Sequence, residues 1–149
     1  MYLQILIGGF VGSSGASLAC PDIPFCYAES SSVSYYGGMQ HLQLTHRFFG
    51  LFLLLASIIF AIVGKNNKYL TRKQYKMLMI ISGMFLLQIA LGFANVYWRI
   101  PVSITLIHLL MAEMILLKLI RLYKEASEIQ FFYDKTQSFR DEESEIFSS

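Results

Sequence analysis

Apolar stretches separated by short polar segments set the plan of this chain. The clearest runs from Met77 to Trp98, 22 residues without a charge, bracketed by Lys76 and Arg99. Phe48 to Gly64 supplies 17 uncharged residues and extends upstream through Arg47 and His46 toward Met39. Ile100 to Leu117 supplies 18, interrupted only by His108 and Glu113. Pro101 suits the first turn of that third helix, where a missing N–H is no loss. A helix crossing about 30 Å of hydrocarbon needs about 20 mostly apolar residues. Each of the three stretches therefore predicts a spanning helix.

The first segment is shorter on evidence. Met1 to Ala19 carries no charge, but Gly8, Gly9, Gly12 and Gly15 crowd its second half. A helix over Met1 to Val11 alone reaches only about 17 Å. Either the helix persists through the glycines, the membrane thins locally, or residues precede the stated start. The segment lacks the positive n-region of a signal peptide, and Ser17 stands where a lipoprotein signal before Cys20 has Leu. Both features favour a retained span. The expectation is an all-α integral membrane four-helix bundle over residues 1–123, with spans at about 1–15, 40–64, 77–98 and 101–121.

Composition supports this plan. Of 149 residues, 55% are hydrophobic and only 15% charged, too few charges to cover a soluble domain. The 12 Phe and 9 Tyr read as lipid-facing and interfacial residues, and no basic stripe suggests nucleic acid. The charges have a direction. Lys65, Lys68, Arg72, Lys73 and Lys76 lie between spans two and three, and Lys118, Arg121 and Lys124 follow span four. The opposite loops carry only Arg47 and Arg99. The positive-inside rule puts the basic loops and both termini in the cytoplasm. Residues 12–40 and 98–103 then face outward. Beyond the bundle, 124–149 predicts an interfacial helix followed by an acidic, disordered end from Asp141. No internal repeat is read.

Two histidines stand out in this arrangement. His46 lies seven residues into a span starting near Met39, and His108 seven residues into one starting at Pro101. Both spans run from outside to inside, so the two imidazoles reach the same depth. A flat macrocycle slotted between them would take one imidazole on each face of its iron. The alternative is that each histidine only hydrogen-bonds a neighbouring helix. His41 points about 140° away from His46, and no acid or third histidine completes a set for a bare metal ion. On span three, Gln88, Gly92 and Asn95 share one face. Gly92 permits close approach of a ring or a backbone, while Gln88 and Asn95 serve either heme edges or helix–helix hydrogen bonding. Cys20 and Cys26 flank Pro-Asp-Ile-Pro-Phe in the outward loop. An oxidising compartment there favours a disulfide over two thiols.

In order, these residues resemble the heme A synthase family. The resemblance rests on Ser17-Leu-Ala-Cys-Pro-Asp-Ile-Pro-Phe-Cys26, then Thr45-His46-Arg47, then Gln88, Leu91, Gly92, Asn95 and Val96, then Pro101 and His108. It covers Met1 to about Tyr123 and identifies the chain as a compact, half-length member with one bundle where typical members fuse two. The resemblance implies oxidation of the C8 methyl of heme O to a formyl group, giving heme A for terminal oxidases. It implies one heme per subunit, heme b or heme O/A, with bis-histidine iron on His46 and His108. Two heme sites would require self-association into a homo-oligomer. Expected partners are the heme O substrate, the lipid bilayer and a heme O synthase, in a prokaryotic inner membrane with the Cys loop outward.

Family members often carry a Glu three residues before the first ligand histidine, and Gln43 occupies that position. A carboxamide hydrogen-bonds but cannot act as a base. Gln43 and Glu113 are the candidate catalytic residues, and Glu113, five residues beyond His108, is expected to face a neighbouring subunit or a polar partner. Arg47 and Arg99 are expected to pair with heme propionates, for which a guanidinium is suited. The rival readings are a non-catalytic b-type heme electron carrier or heme-binding partner, and a membrane protein without a cofactor.

Overall fold

A computed structural model describes residues 1–22, 34–65 and 70–148. The described chain is all-helical: α1 (Tyr2–Ser13), a single 3-10 turn (Ala16–Leu18), α2 (Ser34–Lys65), α3 (Arg72–Tyr97) and α4 (Val102–Ser148). Three of these, α2, α3 and α4, contain stretches long and apolar enough to cross a membrane, and α1 is a shorter apolar helix. The protein is a membrane helical bundle. Its 12-residue α1 is about 18 Å long at 1.5 Å per residue, less than a hydrocarbon core.

The helix ends follow local chemistry. After α1, Gly15 takes φ 75°, a left-handed conformation that glycine adopts without steric penalty, and turns the chain into the 3-10 segment. Thr71 caps α3 in a reciprocal box. Its hydroxyl accepts from the Gln74 N–H at 3.2 Å, and its own N–H donates to Gln74 Oε1 at 3.0 Å. At the other end of α3, Arg99 and Ile100 both take positive φ, 57° and 62°. The Ile100 N–H donates back to the Asn95 carbonyl at 2.7 Å. Ile100 precedes Pro101, which disfavours right-handed helix at that residue, so α3 stops and α4 begins within four residues. A β-branched residue at positive φ is strained, and this turn holds it there.

The far end of α4 departs from expectation. Instead of a bundle helix, a separate interfacial helix and a disordered end, α4 is one 47-residue helix to Ser148. The physical reason is the absence of any Gly or Pro after Pro101, together with the many Leu and Glu residues. Lys73 at the start of α3 reaches across to Glu125 on α4 at 3.0 Å, and Arg121 joins the same carboxylate at 3.2 Å.

Consecutive helices pack side by side: α1 on α2, α2 on α3, and α3 on α4. Helices α2 and α4 are not among the closely packed pairs of described residues. The core is small. Leu54 from α2, Ile81 and Phe85 from α3, and Ile115 from α4 form one buried cluster, with Met1 partly packed against it. All four lie on the same side of the histidines, toward the α2–α3 connection. The large apolar residues on the outside, such as Phe52, Phe60, Leu86 and Leu110, are exposed, as a lipid-facing surface requires.

Candidate functional site

His46 on α2 and His108 on α4 are both half-buried. Each imidazole lies against a glycine of the preceding helix. A methyl group at Gly8 of α1 would come within 2.8 Å of His46 Cε1. One at Gly92 of α3 would come within 3.3 Å of His108 Cε1. Any side chain at Gly8 would thus displace the ring, and one at Gly92 would crowd it. Each histidine also has a glutamine at its backbone. Gln4 Nε2 donates to the His46 carbonyl at 2.9 Å, and Gln88 Nε2 donates to the His108 carbonyl at the same distance. Gln88 Nε2 also approaches His108 Nε2 at 3.4 Å.

Five buried side-chain polar atoms have no hydrogen-bond partner among the described residues: Nδ1 of His46 and of His108, and Oε1 of Gln4, Gln43 and Gln88. Buried polar groups are ordinarily satisfied, so five orphans in one region mark a place where further groups are to be met. Two half-buried imidazoles with glycines behind them, on two different helices of the bundle, fit a planar ring with an iron at its centre. Among the described residues no cluster of three or more His, Cys, Asp or Glu forms, so the chain offers a metal two ligands at this site. That number suits heme iron, whose four equatorial positions the macrocycle itself fills.

The other expected site residues divide. Gln88 and Gly92 stand at His108, as their shared face predicts. Asn95 accepts from the Thr105 hydroxyl at 2.9 Å and ties α3 to α4 near their turn. Gln43 is buried, and its Nε2 donates to the Ser17 carbonyl at 3.3 Å, linking α2 to the 3-10 segment. Arg47 is committed to the same segment. Its guanidinium donates to the Cys20 carbonyl at 2.6 Å and the Asp22 carbonyl at 2.7 Å, and lies 3.4 Å from Cys20 Sγ. Cys20 is fully buried, and Cys26 lies outside the described residues. Arg99 and Glu113 are both exposed, Arg99 in the strained α3–α4 turn and Glu113 on the outside of α4.

The sequence reading missed Gln4 and Gly8, and it missed the internal repeat that contains them. Leu3-Gln4-Ile5 and Gly8 on α1 recur as Leu87-Gln88-Ile89 and Gly92 on α3. The two motifs stand the same number of residues before the ends of their helices, Gln4 to Ser13 and Gln88 to Tyr97. Four matching residues in so short a helix are easily passed over when the apolar background is itself Leu and Ile.

The family profile described as cytochrome oxidase assembly protein matches residues 1–120. A heme A synthase of Bacillus licheniformis is 36% identical over 110 residues, covering 72% of this chain and 35% of that protein. One from Bacillus pumilus is 31% identical over 108 residues, and one from Caulobacter vibrioides 23% over 117, each covering 72% of this chain and 34% of the relative. The chain thus spans about a third of the length of the curated relatives it matches. No solved structure matches. With the profile match running through both histidine-bearing helices, the chain belongs to the cytochrome oxidase assembly protein family.

Proposed function

We propose that the bundle holds one heme between His46 and His108 and serves heme A synthesis, oxidising the C8 methyl of heme O to the formyl group of heme A for terminal oxidases. The observation that carries this reading is the pair of imidazoles, each seated on a glycine and each with a buried, unpartnered Nδ1. Relatives named heme A synthase supply the substrate class. The methyl-to-formyl step removes four electrons and needs an oxidant from outside this chain, and a bound heme would supply the redox chemistry.

The residues of the chain have narrower tasks. His46 and His108 are the residues that would hold the heme iron. The apolar helix faces around them exclude water and raise the strength of every polar contact inside. Gln43, a neutral carboxamide bonded to Ser17, orients the loop after α1 and cannot take a proton as a base. Arg47 clamps the Cys20 segment, and its guanidinium and that of the exposed Arg99 are suited to heme propionates. A Cys20–Cys26 disulfide belongs to the same proposal, favoured by the oxidising compartment outside the membrane. The basic α2–α3 connection and the Lys and Arg residues after Leu117 favour the inner membrane with both termini cytoplasmic. We further propose that a second copy of the bundle supplies a second heme site and meets this one near Glu113, which is exposed on α4.

The test is pigment analysis of the purified protein after co-expression with a source of heme O. Extracted heme A is the expected product. Heme B alone would reassign the chain as a b-type electron carrier, and a colourless protein would overturn heme binding altogether.

A further inference from the structure

We infer that Gln4 and Gly8 form the second histidine seat of the heme site, the counterpart of Gln88 and Gly92. Gln4 is a positioning residue for His46, and Gly8 is the surface on which its imidazole lies. The inference rests on the heme reading above and adds residues that neither the family motifs nor the sequence spacing singled out.

The parts correspond one to one. In each hairpin a glutamine Nε2 donates to the backbone carbonyl of the histidine at 2.9 Å. Four residues on, one helical turn along the same face, a glycine meets the histidine ring. Four residues beyond each histidine is a small residue, Gly50 on α2 and Ala112 on α4. At Gly50 a methyl group would sit 3.1 Å from Gln4 Nε2, so the glycine is what admits the carboxamide between the helices. Helices α1 and α2 therefore reproduce the arrangement of α3 and α4.

The unsatisfied atoms correspond as well. Each seat leaves one ring nitrogen, Nδ1 of the histidine, and one carboxamide oxygen, Oε1 of the glutamine, buried and unpartnered. An imidazole that gives one nitrogen to a metal nearly always donates its other N–H to an acceptor, which fixes the ring and raises its basicity. In each hairpin the glutamine is bonded to the histidine's backbone carbonyl, which fixes the helix that carries the ring, and its Oε1 is an acceptor left unused.

Neighbouring glycines on α1 provide the test. Gly8 and Gly9 are both helical, so replacing either by Ala brings the same gain in helix propensity. At Gly8 the new methyl meets the His46 ring, whereas at Gly9 nothing lies within 4 Å. The full chain, purified in detergent and reconstituted with heme B, is examined by absorption, electron paramagnetic resonance and redox titration. Gly9→Ala should match the parent. Gly8→Ala should convert low-spin bis-imidazole heme to high-spin and weaken heme affinity by about tenfold or more. Gln4→Leu, which keeps side-chain bulk, should shift the midpoint potential and lower affinity in the same direction as Gln88→Leu.

The inference is overturned if Gly8→Ala and Gln4→Leu retain the parent's spectrum, potential and affinity while His46→Ala loses the low-spin signal. If His46→Ala itself retains that signal, the heme reading fails and takes the second seat with it. Should Gly8→Ala not assemble, Gln4→Leu decides alone.

Discussion

The two hairpins of this bundle present the same histidine seat on very different supports. In α3–α4 the helices are long, joined by a four-residue turn, capped at Thr71 and packed through Ile81, Phe85 and Ile115. In α1–α2 the first helix has 12 residues, buries only Val11, and connects to α2 through a long segment. What steadies it is polar. Arg47 and Gln43, on either side of His46 along α2, reach back to the carbonyls of Ser17, Cys20 and Asp22. One seat is held by apolar packing and the other by a network of hydrogen bonds. The setting of a histidine can thus be repeated without repeating the means of support, because the ring needs a fixed backbone and a small residue behind it, whatever fixes them.

The comparison predicts where the hairpins are equal and where they part. The largest effect should be equal: His46→Ala and His108→Ala should each abolish the bis-imidazole absorption spectrum of the reconstituted protein. A spectrum that survives one replacement but not the other would show that only one hairpin supplies a ligand. Next, Ile81→Ala should destabilise the chain by about 2–5 kcal/mol, the usual penalty for emptying a fully buried Ile site. Thermal unfolding in detergent measures it, and a loss well below 1 kcal/mol would deny α3–α4 its packing role.

Arg47→Leu should act on the other hairpin. Losing the guanidinium bonds to two carbonyls should cost about 1.5–3 kcal/mol, since hydrogen bonds from charged groups are stronger than neutral ones. Proteolysis within residues 14–33 should accelerate while the α3–α4 turn stays protected. Equal cleavage of both connections would erase the distinction between the two supports. The smallest effect is at Thr71. Thr71→Ala breaks the capping box and should cost about 1 kcal/mol, confined to α3 and visible as faster hydrogen exchange in its first turn.

Much of this arrangement is legible in the sequence. The spans are, because hydrocarbon imposes a length and an absence of charge on any helix that crosses it, and Met77 to Trp98 meets both conditions without ambiguity. His46 and His108 are legible as a pair because ionisable residues inside spans are rare. The continuous α4 was also readable, since nothing after Pro101 can break a helix, but the acidic and polar composition of its end argued for disorder. Arg47 was legible as a charge at the membrane surface, but only the folded chain brings the carbonyls of Cys20 and Asp22 to it.

By itself, then, the sequence determined the all-helical membrane architecture, the two histidines and the family motifs, because each is written in local composition or short spacing. The tertiary structure alone decided that α1 stands to His46 as α3 stands to His108. Gln4 and Gly8 are separated from their histidine by some 40 residues of chain, and a hydrogen bond or a close contact across such a distance has no local signature. Their significance appears only when two helices are laid side by side.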